Sequence, residues 1–174
     1  MPPSTMPAAE VRKVVAYIQS LRATASEAVV KGDGAQGAEI FWGKGECGKC
    51  HMIGGRGDIL GPDLSNIGGE RRLSFLRDLL IKERQRIPRG YHPVRVRTRD
   101  GVTLEGIVKN ENNFSLQLLD MDRKVRLFTR DELAEVTYAT RSLMPSNYDQ
   151  RLTETELQNL LAFLSRQARS KEPR

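Results

Sequence analysis

The chain of 174 residues has no apolar run approaching the roughly 18 positions that a bilayer-spanning helix needs, so no membrane span is expected. It has only two cysteines, Cys47 and Cys50, and two thiols three positions apart make a poor structural staple. Aromatic residues are few at 6%, which leaves base stacking on single-stranded nucleic acid poorly supplied. Met1 to Pro7 lacks a basic segment followed by an apolar one, so no secretory leader is read there. What remains, 39% hydrophobic and 29% charged residues, suits one or two small water-soluble domains and argues against wholesale disorder.

The net charge of +6 is unevenly placed. Between Arg71 and Arg99 stand ten Lys or Arg, including Arg84 and Arg86, against Asp78 and Glu83, so this stretch alone exceeds the whole-chain charge. Two readings are open: a docking face for an acidic partner or for phosphates, and the solvated side of a helix and a strand.

Periodicity divides the chain. After Pro7, Val11, Val14, Val15, Ile18 and Leu21 fall at helical spacing, and Ala23 to Gly32 reads as a linker. Asp33 is a candidate N-cap for a helix carrying Ile40, Phe41 and Trp42, which runs straight into the cysteines. Positions 54–69 hold six glycines and one proline, an irregular loop. Ser74 is a candidate N-cap for a helix with Leu76, Leu79 and Leu80. From Val94 to Val136 the apolar residues alternate instead, with Asp100-Gly101 as one turn, which predicts five short antiparallel strands. Thr153 and Glu156 then form a capping box ahead of the stripe Leu157, Leu160, Leu161 and Leu164. The expected organisation is residues 1–32 as helix and linker, 33–168 as the main domain, and 94–136 as a sheet inserted within it.

Cys47-Gly48-Lys49-Cys50-His51 is the sharpest signal. Two thiols three apart with an adjoining imidazole is the spacing that attaches haem covalently, each sulfur to a vinyl group and the histidine to the iron. A zinc site would want two further ligands, and His92 is the only other histidine. A thioredoxin-like dithiol would follow a strand, whereas these cysteines follow a predicted helix.

With these residues the chain resembles the cytochrome c family over residues 33–168 apart from the sheet. The helix before the motif fits, Gly61-Pro62-Asp63-Leu64 matches the turn that follows the haem histidine, and Leu143-Met144-Pro145 stands just ahead of the last helix. The resemblance implies a mainly α, cytochrome c-like helical haem domain holding one covalent haem c. It implies Cys47 and Cys50 as thioether anchors, His51 and Met144 as axial ligands, and Pro62 as acceptor of a hydrogen bond from His51. A packing role for Met144, and ligation by His92 in its place, are the alternatives. Arg71 or Arg72 is a candidate partner for a haem propionate. Gly37 and Phe41 are expected to pack on Leu160 and Phe163.

His51 and Met144 lie 93 positions apart, of which the alternating segment takes 43, so the sheet is an insertion. The arrangement is similar to a haem-binding domain type of planctomycete, verrucomicrobial and related bacterial proteins, often attached to quinoprotein dehydrogenase-like enzymes. The strands also look like a small Sm-like barrel. The resemblance implies a periplasmic or other extracytoplasmic electron carrier rather than an enzyme, with a redox partner protein or domain, acidic where it meets the basic stretch. The rival reading is a basic Sm-like module binding nucleic acid or protein, with incidental cysteines; peroxidase-type chemistry would need an open iron position, which Met144 discourages. Finally, Met1-Pro2 followed by Val14-Val15-Ala16-Tyr17-Ile18 echoes Met144-Pro145 followed by Leu160-Leu161-Ala162-Phe163-Leu164. The first helix reads equally as the tail of an upstream cytochrome c domain or as an amphipathic helix packing on this one.

Overall fold

The computed structural model describes residues 6–22, 24–83 and 87–168, so Met1-Pro2, Arg84 and Arg86 named above lie outside the described residues. In chain order the elements are α1 (Ala8–Arg22), α2 (Gly34–Trp42), a short β1 (Met52–Ile53) and β2 (Arg56–Gly57), α3 (Ile67–Glu70) and α4 (Leu73–Ile81). There follow β3 (His92–Thr98), β4 (Thr103–Glu111), β5 (Ser115–Asp120), β6 (Val125–Thr129), β7 (Leu133–Tyr138), α5 (Tyr148–Arg151) and α6 (Glu154–Ser165).

α2 and α6 form the frame. The Asp33 carboxylate accepts from the amides of Ala35 at 2.7 Å and Gln36 at 3.3 Å, satisfying donors that the first turn leaves over. At α6 the amide of Glu156 donates to Thr153 Oγ1 at 3.2 Å while Glu156 Oε2 accepts from the Thr153 amide at 2.8 Å, the predicted capping box. Leu152 and Leu157 flank it, both buried. The two helices cross at Gly37, where a Cβ would stand 2.0 Å from the Asn159 carbonyl oxygen. A single missing side chain thus lets the backbones touch. Phe41 fills the crossing, its ring 5.4 Å from Phe163 and edge-on to Trp42 at 4.8 Å. Leu76 and Leu80 of α4, Tyr148, and Leu157, Leu160, Leu161 and Leu164 of α6 complete this helical core. α4 begins one residue before the expected cap: Arg72 precedes it in extended conformation with no side-chain cap, and Ser74 sits inside the first turn.

The alternating segment forms one antiparallel sheet in the order β6-β5-β4-β3-β7, with Val94 opposite Gly106, Ile107 opposite Leu119 and Leu118 opposite Arg126. Gly101 takes φ +91° in the Asp-Gly turn, a conformation that glycine reaches without strain. One face packs Val94, Val96, Val108, Leu116, Leu118 and Leu133 into a core of its own. Among the described residues β6 and β7 are unpaired edges, so the sheet is open and the Sm-like barrel is not formed. Period-two patterning specifies which neighbours pair and which face is buried; whether two edges meet depends on curvature that the pattern does not carry.

Candidate functional site

The motif lies on a tight 3-10 turn, Cys47–Lys49, straight after α2. Amides of Cys50 and His51 both donate to the Cys47 carbonyl, at 3.1 and 2.9 Å, which gathers the two sulfurs and the imidazole on one turn. Trp42, the last residue of α2, braces that turn: a Cβ on Gly48 would lie 2.5 Å from its indole ring. The Arg56 guanidinium stacks over the same indole at 4.2 Å.

Both thiols are unbridged. Cys47 packs on the helical core, and burial pushes its thiol up to about 11. Cys50 is raised too, by burial first and then by the Asp58 carboxylate. Both sulfurs are therefore held toward the neutral thiol form.

His51 is fixed by the loop that follows. Its Nδ1 lies 2.8 Å from the Pro62 carbonyl oxygen. A carbonyl only accepts, so Nδ1 carries the proton and Nε2 is the unprotonated nitrogen. The amide of Gly61 donates to the Cys50 carbonyl at 2.6 Å, and a Cβ on Gly61 would stand 2.6 Å from His51 Cε1. Only glycine lets this loop press so closely on the ring.

Met144 is half-buried and packs on the same helical core as Cys47. Its amide donates to Ser142 Oγ at 3.1 Å. His92 is placed elsewhere: it opens β3 opposite Val108, beside a recess of about 60 Å³ that Arg89, Lys109 and Glu111 also line. Arg71 and Arg72 are exposed, and the Arg71 guanidinium sits over the Phe75 ring at 5.4 Å. The basic stretch is partly neutralised from outside itself, Arg95 bonding Glu105 at 2.6 Å and Arg97 reaching Glu135 at 3.5 Å. These surface pairs are worth little stability but lower the local positive field.

Several contacts had no signal in the sequence. Tyr148, buried, donates from its hydroxyl to the Gly45 carbonyl at 2.8 Å and so ties the segment after Met144 to the turn carrying Cys47. The five-stranded sheet reaches the motif through its second face: Ile107 and Leu119 pack with Leu60, and Cys50 and Tyr91 rest against them. Arg123, in the turn between β5 and β6 at φ +65°, bonds Asp58 at 2.7 Å. On that face an open groove of about 600 Å³ runs between Arg97, Glu135, Met121 and Leu143, the neighbour of Met144.

The donor set fits haem c: two unbridged thiols with the attaching spacing, an imidazole whose unprotonated nitrogen is Nε2, and a thioether on the same core. Among the described residues no three His, Cys, Asp or Glu side chains converge as a metal cluster. Residues 34–99 match the family model for cytochrome c, a stretch running from the start of α2 through the motif to just beyond β3. No curated protein matches the chain.

Proposed function

We propose that residues 34–99, which match the family model for cytochrome c, belong to a c-type cytochrome domain with covalently attached haem c, and that the chain carries single electrons between a dehydrogenase-type donor and an acceptor outside the cytoplasm. Haem supplies an iron that gains and loses one electron. Cys47 and Cys50 would hold it through thioethers, and His51 Nε2 and Met144 Sδ would ligate its iron. The observation carrying this reading is the 2.8 Å contact of His51 Nδ1 with the Pro62 carbonyl, which orients the ring and makes it a stronger donor.

With both residues as ligands the iron would keep no position for a substrate, which suits electron transfer. Met144 contributes a soft, uncharged donor that favours the reduced iron and raises the potential. The sheet face of Ile107 and Leu119 keeps water from the Cys50 side, which disfavours the more highly charged oxidised state in the same direction. A quinoprotein dehydrogenase-like protein or domain is the donor we favour, and the chain is then one domain of a larger oxidoreductase system.

The ligand set is tested by the ferric absorption spectrum of protein matured in a bacterial periplasm. Methionine ligation gives a weak red charge-transfer band, which Met144→Ala should abolish and His92→Ala should leave intact. A band that survives Met144→Ala removes that residue from the iron.

A further inference from the structure

α1 carries the pattern of α6. Glu10, Val11, Val14, Val15, Ala16, Tyr17 and Ile18 stand in the same order and spacing as Glu156, Leu157, Leu160, Leu161, Ala162, Phe163 and Leu164. The two helices have opposite fates. Leu157, Leu160, Leu161 and Leu164 are 0–6% exposed, whereas Val11, Val14, Val15 and Ile18 are 37–50% exposed. Four apolar side chains on one stripe of a 15-residue helix stand open, β-branched where those of α6 are leucines but at the same spacing.

What covers α6 says what would cover α1. It is α2, the helix that leads into the haem-attachment motif, which meets α6 at Gly37 and Phe41. The fit is electrostatic as well: Glu156 is held by Lys44, two residues past the end of α2, at 2.8 Å. Glu10 offers α1 the same acid at the same place and so complements a cation that follows such a helix. Lys13 departs from the pattern, standing where Asn159 accepts from the Asp33 amide at 2.8 Å; an ammonium there suits the carboxylate of an Asp-capped partner helix.

We propose that α1 is the closing helix of a second c-type haem domain in the same polypeptide, and that its open stripe receives that domain's own motif-bearing helix. The order closing helix, short linker, motif helix is that of two such domains in tandem, with residues 24–33 as the joint. The inference rests on the haem reading of Cys47 to His51, and it adds a second cofactor.

The test is haem-peptide mapping of the protein isolated from the cells that make it. The expected result is two haem-bearing peptides per polypeptide, the Cys47–His51 peptide and another N-terminal to Ala8. One haem, at Cys47–His51 alone, overturns this inference and leaves the proposed function standing, whereas a haem-free polypeptide removes both. Hydrogen exchange on the same protein supplies a second readout. Amides of α1 should exchange as slowly as those of α6 in the monomer and lose that protection in Val14→Asp, with the Cys47–His51 haem retained. Protection of α1 only in a self-associated form would assign the stripe to a second copy and refute the tandem arrangement.

Discussion

Gly61→Ala isolates the contact on which the haem reading depends. Gly61 is not held at positive φ, so the substitution adds only a methyl group and no backbone strain. That methyl would stand 2.6 Å from His51 Cε1 and 2.7 Å from Nδ1, and 3.1 Å from the Cys50 carbonyl oxygen. The ring has to retreat by nearly 1 Å to reach ordinary contact, which stretches the 2.8 Å bond to Pro62 past useful length. Overpacking of this kind costs about 1–3 kcal/mol and the lost hydrogen bond a further ~1. The control is Gly54→Ala, where φ is +58° and nothing lies within 4 Å, so strain of about 1–2 kcal/mol is expected with no effect on the ring. Denaturant unfolding of the haem-loaded protein should show both losses, but only Gly61→Ala should move the midpoint potential. Its direction is upward, because an imidazole released from its carbonyl is a weaker donor to the oxidised iron. An unchanged potential in Gly61→Ala, with the expected loss of stability, would refute the claim that this loop tunes His51.

Other outcomes follow from the same geometry. Met144→His should lower the midpoint potential, since imidazole favours oxidised iron more than a thioether does; a redox titration decides it. Phe41→Ala should cost about 3–5 kcal/mol in denaturant unfolding, given complete burial between Trp42 and Phe163. Arg123→Ala removes the 2.7 Å bond to Asp58 and should speed hydrogen exchange at Leu119 and Cys50 while leaving the α2 and α6 amides slow. Asp120 is held below the usual aspartate range by the Arg126 guanidinium first and then by the Lys124 amide. Its contribution to sheet stability is therefore present above that range and lost as pH falls below about 4; Asp120→Asn should flatten that acid limb in a circular-dichroism titration.

Local signals account for the parts of this fold that were legible. The Asp33 cap, the Thr153–Glu156 box and the alternation from Val94 onward each act within a few residues, and each has its element where expected. The motif was readable because its chemistry is compressed into five consecutive positions. What escaped acts across long separations: Tyr148 on Gly45, Arg123 on Asp58, and Ile107 and Leu119 beside Cys50. None of these residues is unusual in its own neighbourhood, and only the folded chain brings them to the motif. The start of α4 escaped for another reason, because a serine that could cap competes with a leucine one residue earlier whose burial against the core extends the helix. The open sheet edges belong to the same class, set by curvature rather than by pattern.

The most direct test of the account is the absorption spectrum and intact mass of the chain produced in a host that matures c-type cytochromes in its periplasm. The account predicts a mass gain of one haem on residues Cys47 and Cys50 and ferrous bands of the c type. A folded, colourless protein at its bare polypeptide mass would contradict it.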